Sequence, residues 1–507
     1  MIEQRIRNRE FMDKLMSAEQ ASTLIKDGMT VGLSGFTRSG DAKVVPLALA
    51  DRVKKSGEKL KINLFTGASI GDEVDGVLAE AGLIAKRLPF QNERKMRAKI
   101  NTGEILFVDQ HLSHTAEQVR NGFLSPIDVA ILEAVAITED GGIVPSTSVG
   151  NSSIFASLAK TIIIELNVLQ PVGLEGLHDI YDPQMRGQRD PIPLKAVDQR
   201  IGTTYIPVDP AKVAAVVVTE KSDQTAGIVP PDEETQRMAG HLIEFFQHEI
   251  KLGRLPNHLA PLQSGIGSVA NAVLHGFLKS DVTDLVVYSE VLQDAVFDLM
   301  DAGKVKFASA CSITLSPERA EDVVRNIDKY RDRIVLRPQE ISNHPEIIRR
   351  LGLIGINTAI ECDIYGNVNS THIMGTNMMN GIGGSGDFAR NALLGVFVTK
   401  STAKDGKISS IVPFASHVDH TEHDVDLIVT EQGLADLRGL APRERAKVII
   451  ENCAHPMYKD ALLDYYREAC KRGGHTPHLL QEALAWHVRY QETGTMREAV
   501  SVKQREK

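Results

Sequence analysis

Seven short apolar runs punctuate this chain: "MTVGLSGF", "KINLFTGAS", "IDVAILEAVAI", "VAAVVVTE", "TDLVVYSE", "GVFVTK" and "DVDLIVTE". Each closes in small or polar residues, and helix-patterned stretches lie between them. A run with no polar alternate position suits a strand covered on both faces, and strands alternating with helices build largely parallel sheets. The expected fold class is therefore α/β. The first unit shows how the punctuation works. Ser17 and Gln20 make a capping box for a helix through "AEQASTLIKDG", Gly28 stops it, and "MTVGLSGF" follows as a buried strand. At 507 residues the chain is too long for one core, and about two to four domains are expected.

Two stretches share one pattern of strand, turn, small polar residues, helix and strand: "DVAILEAVAITEDGG…" from 128 and "NTAIECDIYGNVNS…" from 357. Aligning Gly142 with Asn367 gives an offset of 225, and Ile163 with Phe397 an offset of 234, so the later copy is about nine residues longer. The extra length falls around a glycine-rich loop. An internal duplication accounts for this, although unrelated α/β units also share such patterns. The Asp-, Gly- and Pro-rich segment 219–237 is the expected hinge, giving domains 1–222 and 223–507.

Composition narrows the partners. A net charge of −9 and no lysine/arginine block argue against nucleic acid, and an anionic substrate would need positive potential concentrated at its site. The four cysteines have no C-x-x-C spacing and read as free thiols of a reducing cytosol, so a cytoplasmic location is expected. The first twenty residues carry Glu3, Glu10 and Asp13 without a long apolar core, unlike a secretory signal or transit peptide. Runs such as "VAILEAVAI" are too short to span a bilayer, so no membrane partner is expected.

The glycine loop, "MMNGIGGSGDFARN" at 378–391, contains a literal G-x-G-x-x-G in Gly381, Gly383 and Gly386. That fingerprint binds a dinucleotide only after a buried strand and with an acid ending the next strand. Here a polar, glycine-broken stretch precedes it, and the next strand ends on Lys400. In "TDLVVYSEVLQDAVFDLMDAGK", Ser289 is expected to cap a helix running to Gly303, with Glu290 in its first turn and its charge favoured by the helix dipole. An ionised carboxylate at a strand's C-terminal end suits nucleophilic attack on an acyl group, though ordinary capping also selects acids there. Glu431 follows the strand in "VDLIVTEQG" and either orients a substrate or starts a helix. Gly265, Ile266 and Gly267 precede a helix whose N-terminus suits a phosphate or developing oxyanion. His417, His420 and His423 invite a metal but lack a supporting ligand set, and no metal is expected. Thr476 and Pro477 open a last helix carrying Trp486, whose stripe of Leu479, Leu480, Ala483, Leu484 and His487 reads as a docking or dimer surface.

Taken together, "QSGIGSVANAV", "YSEVLQDAVFDLMD", "LRPQEISNHPEIIRRLG", "DIYGNVNSTHIMGTNMMNGIGGSGDFARN", "VPFASHVDHTEHDVD" and "VTEQGLADLRGLAPRERA" resemble the acetyl-CoA hydrolase/CoA-transferase family, most closely its succinyl-CoA:acetate CoA-transferases. The match covers essentially the whole chain. It implies two duplicated α/β domains of CoA-transferase type, assembled as a homodimer. It implies acyl-CoA and small carboxylates as substrates, with coenzyme A a substrate and no cofactor. The reaction implied is ping-pong transfer of CoA through a mixed anhydride and a γ-glutamyl-CoA thioester. Acetyl-CoA hydrolysis, or another pair such as propionyl-CoA and succinate, is the alternative.

The resemblance makes Glu290 the nucleophile and Asn343 and Gly384 the oxyanion donors. It puts Glu431 in the carboxylate pocket, Gly265–Ile266–Gly267 against the acyl-CoA, and Ser69 in the acyl pocket, the last on a weaker match. On this reading the glycines let backbone N–H groups approach a tetrahedral oxyanion and shape the loop over the thioester. No nicotinamide is needed.

Overall fold

The computed structural model describes residues 2–224 and 230–498, so the expected hinge lies partly outside the described residues. The first half builds one sheet from β1 (Thr30–Leu33), β2 (Ile62–Phe65), β3 (Ile84–Leu88), β4 (Leu106–Phe107), β5 (Val129–Ile137), β6 (Ile143–Pro145), β7 (Thr161–Asn167) and β8 (Val213–Thr219). Their order is β4-β3-β2-β1-β5-β7-β8, all parallel, with β6 added antiparallel to β5. Every residue of β5 is buried, as its unbroken apolar run requires when helices cover both faces.

The second half repeats the plan with β9 (Leu262–Ser264), β10 (Leu285–Tyr288), β11 (Val305–Ala310), β12 (Ile334–Leu336), β13 (Ile354–Thr358), β14 (Leu394–Val398), β15 (Leu427–Thr430) and β16 (Gly433–Asp436). Their order is β12-β11-β10-β9-β13-β14-β15-β16, parallel except for the last pair. Without β6 and β16, the hairpin strands, the two sheets have the same strand order. The pairing by offset agrees with it: Val129, which opens β5, falls on Ile354, which opens β13. The chain is α/β with mainly parallel sheets, as expected.

The halves meet along the C-terminal ends of their strands. Val149 N–H donates to the Cys311 carbonyl (3.0 Å), Ile313 N–H to Thr147 (2.9 Å) and Gln339 N–H to Gly150 (2.9 Å). Fully buried Arg337 pairs with Asp179, and Arg120 grips Glu340 with two nitrogens at 2.9 and 2.8 Å. One apolar core runs through both sheets, from Phe155 and Leu166 to Leu262 and Leu336. Carboxyl ends of strands are where open α/β sheets leave ligand crevices, so this junction is the natural site.

Two local expectations change. The last helix spans Ala485–Thr493 and does not begin at Pro477. Of the stripe, Ala483 is buried and His487 bonds Glu361 at 2.7 Å inside the chain, where Trp486 also packs on Tyr458, while Leu480 and Leu484 stay exposed. The Ser17–Gln20 capping box forms, but its helix stops at Ser22. Among the described residues, no helix is long and apolar enough to cross a membrane.

Candidate active site

Glu290 stands one residue beyond the end of β10, after Ser289, and its backbone is fixed before its side chain acts. Ser289 N–H donates to Ser309 (2.9 Å), and the Glu290 carbonyl accepts from Cys311 (2.9 Å) and Ser312 (3.1 Å). Residues Val291–Leu292 then pair with Ser312–Ile313, and the helix begins only at Asp294, with Gln293 as its cap residue. Glu290 therefore does not lie in a helix's first turn, and Ser289 does not cap one: its hydroxyl donates to the Ser264 carbonyl at 3.0 Å. The expected dipole-favoured charge is corrected with it. Burial raises the Glu290 carboxyl to about 7, and the hydrogen bond from Asn343 only partly opposes this. The competing principle is desolvation, which a linear sequence does not display.

Asn343 ends a short helix, Gln339–Ser342, and is wholly buried. Its Nδ2 donates to Glu290 Oε1 at 2.7 Å, and its Oδ1 has no hydrogen-bond partner among the described residues. Gly384 closes the other side. A Cβ there would stand 1.9 Å from Glu290 Oε1 and 2.2 Å from Asn343 Nδ2, so only glycine fits against the carboxyl. Among the described residues, the Gly384 amide donates to no protein acceptor. Among the described residues, the Asn343 carboxamide is thus the hydrogen-bond donor to the Glu290 carboxyl, and glycine at 384 lets the loop backbone lie against it.

Glu290 faces a cavity of about 310 Å³ between the halves. Phe36, Ala68, Ile70, Phe90 and Leu112 of the first half supply its apolar wall. Gly265, Ile266 and Gly267 line the opposite side, but the Gly265 amide already donates to Ile356 (2.8 Å). The Gln293 carboxamide bridges the Gly265 carbonyl (3.0 Å) and the Gly267 N–H (3.1 Å). Gln293 is a wall residue that the sequence reading passed over, although it lies in the quoted "YSEVLQD".

The glycine loop is clamped by the first half, which sequence reasoning missed. Ile382 N–H reaches both Asp109 oxygens (2.9 and 3.0 Å), and Gly381 N–H reaches the Gln91 carbonyl (3.2 Å). Leu112 N–H donates to the Gly383 carbonyl (3.3 Å), and Ser113 donates to Asp387 through both N–H (3.0 Å) and hydroxyl (2.6 Å). At Gly386 a Cβ would meet the His111 ring at 2.3 Å. These partners lie some 270 residues away in sequence, and no local signal marks them.

Two expected residues stand apart from the cavity wall. Ser69 turns toward Arg87, which donates to its hydroxyl at 3.2 Å, while its neighbours Ala68 and Ile70 line the cavity. Glu431 sits in the tight turn between β15 and β16, not at a helix start. It accepts from Ser401 N–H (2.8 Å), the Ser401 hydroxyl and Gln432 (2.8 Å). Burial pushes its carboxyl up, but these hydrogen bonds outweigh that and hold it below the usual value.

The histidines also diverge. His420 bonds the Ser370 (3.2 Å) and Ser385 (3.1 Å) hydroxyls, and burial lowers it to about 4, leaving it neutral. His417 stacks on His372 at 3.9 Å, and His423 faces solvent. Among the described residues, no group of three or more His, Cys, Asp or Glu is placed to hold a metal.

Comparison with known proteins adds the following. The family model for the acetyl-CoA hydrolase/transferase N-terminal domain matches residues 1–218, and that for the C-terminal domain matches residues 320–466. A succinyl-CoA:acetate CoA-transferase of Clostridium kluyveri is 52% identical over 98% of this chain and 92% of its own length. An acetyl-CoA hydrolase of Schizosaccharomyces pombe is 47% identical over 98% of this chain and 99% of its own. The structure of RipA from Yersinia pestis has a TM-score of 0.70 at 21% identity, covering 90% of this chain and 98% of that one, a likeness of fold.

Proposed function

Since the chain belongs to the acetyl-CoA hydrolase/transferase family and is an enzyme acting on acyl-CoA, we propose that it moves CoA between succinyl-CoA and acetate through Glu290. The observation that carries this reading is the Glu290 carboxyl held on Asn343 Nδ2 at 2.7 Å, against Gly384, inside a walled cavity. A carboxyl titrating near 7 is substantially ionised at neutral pH.

The steps balance without an outside reagent. Glu290 Oε attacks the thioester carbonyl, the C–S bond breaks, and CoA leaves as thiolate from a mixed anhydride. The thiolate attacks the glutamyl carbon, the anhydride C–O bond breaks, and succinate leaves a γ-glutamyl-CoA thioester. Acetate attacks that thioester and the same steps run backward, releasing acetyl-CoA and restoring the carboxylate. When the glutamyl carbon is attacked, negative charge grows on its oxygen, which Asn343 Nδ2 already meets and against which the Gly384 backbone lies. Apolar Phe36, Phe90 and Leu112 keep water from the anhydride.

The second reading is acyl-CoA hydrolysis, in which water takes the intermediate; the names of the fungal relatives favour it. An exchange assay separates the two. With succinyl-CoA and labelled acetate, the transferase reading expects labelled acetyl-CoA and one succinate per turnover, with little CoA released when acetate is withheld. CoA release at the same rate with and without acetate would establish the hydrolase, and neither product would defeat both readings.

A further inference from the structure

The cavity wall carries two ionisable side chains among the described residues, Glu290 and Arg38. Arg38 is its sole basic group. The neighbouring buried cations are already committed. Lys43 is held by Glu133 (2.6 Å) and Asp223 (2.9 Å), and Arg87 by Asp75 (3.1 Å). Arg38 is only loosely engaged, with Nη1 3.5 Å from an exposed Asp72 oxygen.

The backbone beneath Arg38 is held with unusual care. Phe36 and Ser39 exchange N–H···O=C bonds of 3.0 and 3.2 Å, making Thr37 and Arg38 the tip of a two-residue turn. Thr37 takes φ 56° at the first central position, a conformation that a β-branched residue adopts only when its surroundings impose it. They do so here from both halves. Thr37 N–H donates to Ala68 (2.9 Å), its carbonyl accepts from Ile70 (2.8 Å), and its hydroxyl meets that of Thr314. The Ser39 hydroxyl also meets Thr314, at 2.9 Å, and Gly40 N–H donates to Asp223 at 3.0 Å. Strain of this kind persists where a side chain must be presented in one place, and the side chain presented is Arg38.

The electrostatics give it a task. Both substrates of the proposed reaction are anions, and the nucleophile must itself be an anion when they arrive. In a desolvated cavity two carboxylates repel, and a guanidinium in the wall offsets that repulsion while reading an oxygen anion with paired donors. We infer that Arg38 is the anion-recognition residue of this site, receiving a carboxylate or phosphate group of the substrate. This rests on the CoA-transfer reading above.

The test uses the full-length enzyme and the variants Arg38→Gln and Arg38→Lys, each checked for an unchanged melting temperature. KM is measured for acetate, succinate, acetyl-CoA and succinyl-CoA. Loss of a hydrogen-bonded charge should raise the relevant KM by about tenfold or more in Arg38→Gln, with kcat little changed and Arg38→Lys falling between. A rise for succinate and succinyl-CoA alone identifies the distal carboxylate as the group read. A rise for both acyl-CoAs alike, with the acids unaffected, identifies a CoA phosphate, and a rise for both acids alike identifies the reacting carboxylate. Four unchanged KM values, or a loss confined to kcat, overturn the inference. Calorimetric binding of CoA and of succinate to wild type and Arg38→Gln needs no turnover. Weaker binding to the variant by an enzyme that shows no exchange would uphold Arg38 and reject the transfer reading, whereas equal binding there would reject both.

Discussion

Glu290 is a buried carboxyl in a wall of aromatic and aliphatic groups, and its ionisation should be visible in stability as well as in rate. Its value moves from about 4.5 to about 7 on folding, so the native state binds this proton more tightly than the unfolded chain. Stability is then lost as pH rises from about 4.5 to about 7 and stays lower above that, by about 3 kcal/mol at most. Glu290→Gln should therefore be inactive yet more resistant to denaturant than wild type at pH 8, with the advantage gone near pH 4.5. A variant less stable at pH 8 would contradict the burial argument. The same shift predicts that wild-type kcat/KM rises with pH through about 7, because the proposed nucleophile attacks only as a carboxylate. Asn343→Ala should lower kcat by about a hundredfold or more with little change in KM, because its donor acts on transition-state charge. Gly384→Val should do the same for a steric reason, since even a Cβ collides with Glu290 Oε1. Effects on KM alone would show that these residues bind substrate and form no oxyanion hole. The position of Glu290 at a strand end was legible in "DLVVYSE"; its proton affinity was not, because its burial is set by groups the fold brings to it from elsewhere in the chain, Asn343 and Gly384 among them.

At the scale of elements, the glycine loop shows how far linear reading reaches. The sequence argument against a dinucleotide is the missing buried strand before the loop and the missing acid after it. The reason for the glycines was only half legible. Gly384 leaves room for Glu290, a contact within the second half, whereas Gly386 yields to His111 of the first half. The segment 90–113 acts as a clamp, and Asp109 is its firmest grip on the loop backbone. Asp109→Ala should lower kcat about tenfold by freeing Ile382, as expected for the loss of a hydrogen bond to a charged group. It should also speed hydrogen exchange at the amides of Ile382 and Gly383. Normal exchange there, or an unaltered kcat, would mean that the loop holds its shape without the clamp. The histidine segment gives a separate expectation. With His420 committed to Ser370 and Ser385 and His423 in solvent, exhaustive chelation should leave CoA exchange unchanged. Loss on chelation with recovery on added zinc would refute it.

Across the whole molecule, the two sheets repeat one strand order, and the site lies where their carboxyl ends face each other. The repeat was visible in sequence because strand, turn and helix patterns survive duplication. Its register was visible because Val129 and Ile354 open equivalent strands. How the copies face each other was not legible, since Arg337–Asp179, Arg120–Glu340 and the Val149–Cys311 bond join residues more than 150 positions apart. Cutting the chain at the proposed 222/223 division should therefore abolish transfer. The second half holds Glu290, Asn343 and Gly384 but loses the apolar wall and the clamp. Co-expression of the halves should restore activity in part, read as exchange in the purified pair. Full activity of 223–507 alone would show that the first half is dispensable to the chemistry.

The most direct measurement of the covalent route is capture of the intermediate on Glu290. Enzyme mixed with acyl-CoA and no free carboxylate should accumulate a glutamyl thioester, and borohydride should reduce it to an alcohol. The account predicts a small mass decrease on the peptide containing "YSEVLQD", permanent loss of activity, and protection when acetate is added beforehand. Reduction mapped to Glu431, or an active Glu290→Ala enzyme with no label on any carboxylate, would contradict it.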